Sequence, residues 1–206
     1  NIPKSFISSK DTEHMTPYNT LVRSIIYQQL AGSAATSIYN KLCGAIKAKN
    51  GIITPTLIHN ATCSIEIIDG KKKIIVNKIA VGLSESKLKY IQSLTEHFLD
   101  PTKLGNFDLL TAKDEDLINK LLAVKGLGMW SIHMFMIFHL HRADILPIGD
   151  LAVRKGICKL YNNPPKMYES NSKIVWKSIQ EQCQAWSPYA SVGSMYMYSI
   201  CDTKTI

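Results

Sequence analysis

Cysteine is present but never in a useful arrangement. The five in 206 residues, Cys43, Cys63, Cys158, Cys183 and Cys201, lie far apart, with no Cys-x-x-Cys pair and no histidine spacing suited to zinc. They read as reduced thiols, and no metal or other cofactor is expected from them. Long apolar runs are also missing: the most apolar stretch, residues 134–140, is far too short to cross a bilayer, so no membrane association is expected. No signal-peptide pattern is visible, and the sequence begins on Asn1 rather than on Met. A dinucleotide fingerprint is absent, because the Gly-x-Gly at 126–128 follows no strand pattern and lacks the third glycine. Acidic residues are the minority, 16 against 24 Lys and Arg, which leaves a formal charge of +8 and a pI near 9.2. That balance implies affinity for polyanions through counterion release.

What the chain has is ample apolar content, 46%, enough for one compact domain over 1–206 or two small lobes sharing a core. Residues 1–16 are polar and unpatterned, an arm leading into Pro17 at the first turn of a helix. From 18 to 46 the apolar positions repeat at three and four, broken near Gly32-Ser33; this predicts two helices meeting at a corner, with Ser33 as N-cap. Residues 51–80 are less regular. There Ile65-Glu66-Ile67-Ile68-Asp69-Gly70-Lys71-Lys72-Lys73-Ile74-Ile75-Val76 places a turn between β-branched runs, a small hairpin inserted among helices, with lysines that read as a solvated run rather than a DNA contact. Further helices are predicted ending at about residue 98 and over 151–161, 174–183 and 192–200, with Asn162-Asn163-Pro164-Pro165 as a loop.

The chain is organised around residues 114–156. Leu117, Ile118, Leu121 and Leu122 mark one face of a helix whose start carries Asp114, Glu115 and Asp116, where carboxylates complement the dipole. The turn Val124-Lys125-Gly126-Leu127-Gly128 ends it, and an almost wholly apolar helix begins at once with Met129 and Trp130. Glycines without Cβ atoms at the positive end of a helix dipole leave N–H groups open to an anionic oxygen, which favours a phosphate; the plainer alternative is that Gly126 and Gly128 only stop one helix and start another. Beyond the apolar helix comes Leu146-Pro147-Ile148-Gly149-Asp150, with Asp150 at the start of a helix and therefore either a simple N-cap or a placed carboxylate.

Taken together, Leu121-Leu122-Ala123-Val124-Lys125-Gly126-Leu127-Gly128-Met129-Trp130-Ser131 and Leu146-Pro147-Ile148-Gly149-Asp150-Leu151-Ala152-Val153-Arg154 resemble the helix-hairpin-helix plus Gly/Pro-Asp signature of the HhH-GPD DNA glycosylases, closest to the alkylbase (3-methyladenine) DNA glycosylase family. Met129 stands where that family often has proline, and Ser131-Ile132 where it has Thr-Ala. Two further stretches carry the resemblance: Ile25-Ile26-Tyr27-Gln28-Gln29-Leu30 with the alanines after it, and Gly82-Leu83-Ser84-Glu85-Ser86-Lys87. Trp186-Ser187-Pro188-Tyr189-Ala190-Ser191 is similar to the family's approach to its final helix, except that Ala190 replaces the usual arginine. The resemblance covers residues 17–200 apart from the insertion. Some relatives hold an iron–sulfur cluster on four closely spaced C-terminal cysteines; only Cys183 and Cys201 lie in that region, so a cluster is excluded.

The resemblance implies an all-α, two-lobed fold with a cleft between the lobes, and a monomeric enzyme acting on double-stranded DNA that contains damaged bases, nuclear in a eukaryote and otherwise cytoplasmic. It implies Asp150 as the catalytic carboxylate. It implies a base pocket from Trp130, Met134, Trp186, Tyr189, Gln28 and Gln29. DNA would be held by Lys125, Gly126, Gly128, Met129, Lys87 and Arg154, with Ser84, Glu85 and Ser86 as the region of a duplex wedge, and a cation could sit at the hairpin carbonyls of Val124 and Gly126. Relatives that act as lyases keep a lysine two residues after the second hairpin glycine. Trp130 is there instead, so the expected enzyme is monofunctional and uses water. The rival expectations are a non-catalytic DNA-binding module that kept the hairpin, and a glycosylase for oxidised, deaminated or mismatched bases.

Overall fold

Pro17 opens the first helix of the computed structural model, which describes residues 15–202. Thr16 caps that helix by accepting the Asn19 N–H, and proline at the first position supplies the preset φ that a helix start needs. The described residues fall into two compact units that meet in sequence at Gly128 and Met129. Of the N-terminal arm expected over 1–16, residues 1–14 lie outside the described residues.

The first unit holds α1 (Pro17–Tyr27), α2 (Gly32–Ala45), α3 (Pro55–His59), α4 (Glu85–Leu99) and α5 (Asp114–Leu122). Leu21, Val22, Ile25 and Ile26 of α1 are buried against α2 and α4, together with Leu42, Ile91 and Leu94. The corner between α1 and α2 falls as expected, but Ala31, not Ser33, is the N-cap of α2, and no side chain caps it. The hairpin in the insertion forms: β1 (Cys63–Ile68) pairs antiparallel with β2 (Lys71–Val76) around Asp69-Gly70, both at positive φ as a tight two-residue turn demands. A third strand, β3 (Ile79–Ala80), completes the sheet in the order β1-β2-β3. The fold is thus mainly helical with one small sheet. Lys71 to Lys73 lie along β2, where Lys73 pairs with Asp69 in solvent.

The second unit holds α6 (Met129–Phe138), α7 (Leu151–Leu160), α8 (Pro165–Glu169), α9 (Lys173–Gln182) and α10 (Ala190–Asp202). Helix α6 is apolar all round, and Ile132, Met134, Phe135, Met136 and Ile137 are all buried, as a core helix should be. Helices α7 and α10 pack along one another at Gly156, where a Cβ would lie 2.6 Å from the Met197 carbonyl oxygen. Val153, Ile157, Cys158, Ile179, Cys183, Met197 and Tyr198 form the core of this unit. The α-helix not foreseen here is α8, which Pro165 starts inside the expected loop. All five cysteines are free, and no described helix is long and apolar enough to cross a membrane.

Candidate active site and hairpin

Asp150 is 7% exposed and uses both carboxylate oxygens. Oδ1 accepts the N–H groups of Ala152 at 2.8 Å and Val153 at 3.1 Å, the bonds of an N-cap, so the plainer reading of this residue is correct as far as it goes. Oδ2 does something a cap does not require. It accepts the Trp130 indole N–H at 2.6 Å and the Tyr198 hydroxyl at 3.1 Å, from two other helices. A carboxylate offers about four acceptor positions, and all are occupied. No Lys or Arg bonds the Asp150 carboxylate directly among the described residues; hydrogen bonds and the helix dipole hold it in place, and the Arg154 guanidinium acts on it only through space.

Tyr198 is the residue that sequence reasoning missed. Burial, followed by the Asp150 charge beside it, pushes its phenol well above the ordinary tyrosine range. The signal was available: Ser191, Ser194 and Tyr198 follow at i, i+3 and i+7 on α10, a polar stripe on a buried face.

Arg154 was expected on DNA and is instead internal, 4% exposed. Its Nη1 donates to the Ile148 carbonyl at 2.8 Å, its Nε donates to the Tyr168 carbonyl at 3.0 Å, and the Trp176 ring lies 4.6 Å from the guanidinium carbon. Such a group braces the loop that presents Asp150, with Nε and Nη1 both donating to carbonyls inside the protein. Met134 is also corrected: it is fully buried, with Sδ packed 3.5 Å from the Tyr198 hydroxyl oxygen, and so lies behind the site instead of lining it. Trp186 and Tyr189 line an apolar groove of about 460 Å³ with Val192, Tyr196 and Ile200 of α10. These three share a helix face, and Tyr198 lies about 200° around from Tyr196. The two aromatics therefore border a surface turned away from Asp150, and Trp186 donates its indole N–H to the Tyr161 hydroxyl. Of the expected aromatics only Trp130, 37% exposed, is beside the carboxylate. Ala190 is buried, with its N–H on Asp144, which also accepts from Ser187 and so ties down the start of α10.

The hairpin corner belongs to the first unit. Val124 N–H donates to Leu121, Lys125 N–H to the Ser93 hydroxyl, and Leu127 N–H back to Val124. The N–H groups of Gly126 and Gly128 donate to no acceptor found among the described residues. Gly126 has φ +92°, and a Cβ there would fall 2.2 Å from the Tyr90 ring; at Gly128 a Cβ would meet nothing within 4 Å. Lys125 and Met129 are exposed on either side of the turn. The carbonyls expected to attract a cation are already engaged, Val124 by Leu127 and Gly126 by the Gln28 amide at 3.0 Å.

Gln28 thus grips the hairpin rather than facing a base. Gln29 is exposed at φ +56°, an uncommon conformation for this residue type, at the tip of the α1–α2 turn. Ser84 caps α4, Ser86 bonds Ser84, and Glu85 pairs with Lys89; all three remain exposed. Lys87, expected to touch DNA, points inward: Nζ donates to the carbonyls of Ile26 at 2.6 Å and Gln28 at 2.8 Å.

Residues 22–181 match the family described as HhH-GPD superfamily base excision DNA repair protein. The chain is 30% identical over 213 residues to DNA-3-methyladenine glycosylase of Saccharomyces cerevisiae, covering 90% of this chain and 67% of that protein. Among solved structures it is similar to DNA-3-methyladenine glycosidase of Bacillus halodurans, with 29% identity and a TM-score of 0.69 over 91% of this chain and 76% of that one. The fold is also shared with the Schizosaccharomyces pombe 3-methyladenine DNA glycosylase Mag1 in complex with abasic DNA, at 24% identity and a TM-score of 0.65 over 97% of this chain and 89% of that one.

Proposed function

The chain belongs to the HhH-GPD superfamily of base excision DNA repair proteins, and from that premise we propose that it is a monofunctional glycosylase that flips 3-methyladenine and 7-methylguanine out of duplex DNA and hydrolyses their N-glycosidic bonds, with Asp150 as the catalytic carboxylate. Breaking that bond develops positive charge at the sugar C1′, and a carboxylate already fixed in place stabilises it without reorganising. The observation that carries the reading is the full hydrogen bonding of an Asp150 that no Lys or Arg among the described residues contacts directly. A carboxylate that no Lys or Arg bonds directly, with Arg154 acting on it only through space, keeps charge available to a substrate cation, and burial raises the worth of the interaction.

The same geometry refines the mechanism. With its acceptor positions filled, Asp150 cannot take a proton from water without releasing Trp130 or Tyr198, so its work is electrostatic before it is general-base catalysis. The exposed face of Trp130, adjacent to the carboxylate, suits stacking against a cationic base. The open amides of Gly126 and Gly128 suit a backbone phosphate, which positions the duplex without reading its sequence. The net charge of +8 supports the same polyanionic partner.

The test is release of free base from a duplex carrying one methylated purine, by wild-type protein and by Asp150→Asn. Release by the wild type that falls at least ~10²-fold in the variant is expected for loss of a transition-state electrostatic partner. Equal release by both would remove Asp150 from the chemistry. Borohydride should trap no covalent adduct, because the lyase position holds Trp130, whose one N–H is spent on Asp150.

A further inference from the structure

We propose that Lys87 and Gln28 are positioning residues that set the phosphate-binding turn, acting as a relay from α4 through the end of α1 to Gly126. Helix α1 ends at Tyr27, and its last carbonyls have no partners within the helix. The Lys87 ammonium supplies them, bonding Ile26 at 2.6 Å and Gln28 at 2.8 Å at the negative end of the helix dipole. Its burial lowers the affinity for its proton, as expected of an amine turned inward. Gln28, held by its own carbonyl, extends its amide to the Gly126 carbonyl at 3.0 Å, a contact between residues 98 apart in sequence.

Helix α4 adds two more holds on the same turn at three-residue intervals after Lys87. Tyr90 fills the space where a Gly126 Cβ would be, and the Ser93 hydroxyl accepts the Lys125 N–H. The turn is therefore gripped at Lys125 and at the Gly126 carbonyl, while the Gly126 and Gly128 N–H groups remain unspent. A phosphate needs those two groups held in one orientation, since an amide that must be ordered on binding costs affinity.

This inference rests on the reading of the turn as a phosphate site, and Gly128→Val tests that reading separately: undiminished binding of an undamaged duplex by this variant would end the phosphate site itself. For the relay, equilibrium binding of the same duplex is measured from low to moderate salt for Gln28→Ala, Lys87→Met and Lys87→Arg, at temperatures where circular dichroism shows each folded. Gln28→Ala should lose roughly threefold to tenfold in affinity, the worth of one hydrogen bond, and Lys87→Met roughly tenfold or more. In both, the slope of log affinity against log salt should stay that of wild type, because neither side chain neutralises a phosphate. Lys87→Arg keeps charge and donors and should recover most of the loss. Wild-type affinity in Gln28→Ala would overturn the relay, and so would a slope reduced by about 0.9 in Lys87→Met, the mark of a lost phosphate contact. If Lys87→Met does not fold, Gln28→Glu decides: a carboxylate facing the Gly126 carbonyl should bind DNA more weakly than Gln28→Ala, and tighter binding would overturn the relay.

Discussion

The Trp130 indole N–H points at the Asp150 carboxylate and reaches it at 2.6 Å, joining the residue that follows the hairpin to the residue that caps α7. Because the other oxygen is committed to the cap, the two roles of Asp150 are separable. Tyr198→Phe removes one donor from Oδ2 and leaves the Ala152 and Val153 bonds intact. Single-turnover base release should fall roughly tenfold, the scale of one hydrogen bond to a charged group. The melting temperature should move little, since ring and burial are kept. A wild-type rate with an intact fold would show that Tyr198 only fills space.

The two hairpin glycines should fail in different ways. Gly126→Ala forces a side chain into positive φ and into the Tyr90 ring, and should cost on the order of 3 kcal/mol of stability. Gly128→Ala meets no atom and has an ordinary φ, so the fold should survive while duplex binding weakens equally for all sequences. Thermal melts of both variants, with binding measured on two unrelated duplexes, separate these outcomes. Loss of stability in Gly128→Ala, or its absence in Gly126→Ala, would contradict the assignment.

What the sequence made legible was local. Helix spacing, Pro17, the turn at Asp69-Gly70 and the carboxylates at the start of α5 depend on neighbours a few residues away, and these elements formed as read. Of the residues proposed for the site, Asp150, Trp130, Gly126 and Gly128 sit inside motifs, and the proposal rests on their surroundings. The direction of a long side chain is set by distant partners instead. Arg154, Lys87 and Gln28 all carry groups suited to DNA, yet each finds a carbonyl inside the protein, at Ile148 and Tyr168, at Ile26 and Gln28, and at Gly126. Composition gives the charge but not the side on which it is spent. Trp186 and Tyr189 line a groove with Val192, Tyr196 and Ile200 instead of bonding Asp150, since their motif fixes the start of α10 but not which face of that helix meets Asp150.

Stability should fall at both ends of the pH range. Burial raises the phenols of Tyr18, Tyr39 and Tyr198 above the usual tyrosine value near 10, with the Asp150 charge adding to the effect at Tyr198. Above pH ~10 the unfolded chain releases these protons and the folded chain keeps them, so the folded state binds more protons and stability drops as pH rises. Below that value their contribution is fully present. His133 and His139 are shifted the other way by burial, His139 also by the nearby His141 charge, so their contribution is present above about pH 6.5 and fades as pH falls. Melting temperatures should form a plateau between these limits and decline by at least about 2 °C per pH unit on the alkaline side. A flat profile through pH ~11 would show that the buried phenols ionise freely.

Substrate choice follows from a group the site does not offer. A neutral purine leaves as an anion unless an acid protonates it, whereas a purine methylated at N3 or N7 already carries positive charge and departs as a neutral base. The acid nearest to Asp150 is the Tyr198 phenol, and it is poorly suited to that task. Its proton is committed to the carboxylate, and both burial and that charge hold it on the oxygen. Trp130 supplies a π face but no transferable proton. The site can therefore stabilise the developing sugar cation and stack a cationic base, but it has little means of expelling a neutral one. Release of 3-methyladenine should be fastest, 7-methylguanine slower, and 8-oxoguanine weak or absent, in duplexes of one sequence at equal enzyme concentration. Tyr198→Phe should slow all methylated substrates by the same factor, since the phenol acts on the carboxylate and not on the base. Faster release of 8-oxoguanine than of either methylated purine would mean that an acid from elsewhere reaches the leaving group, and the choice of alkylated purines would then be wrong.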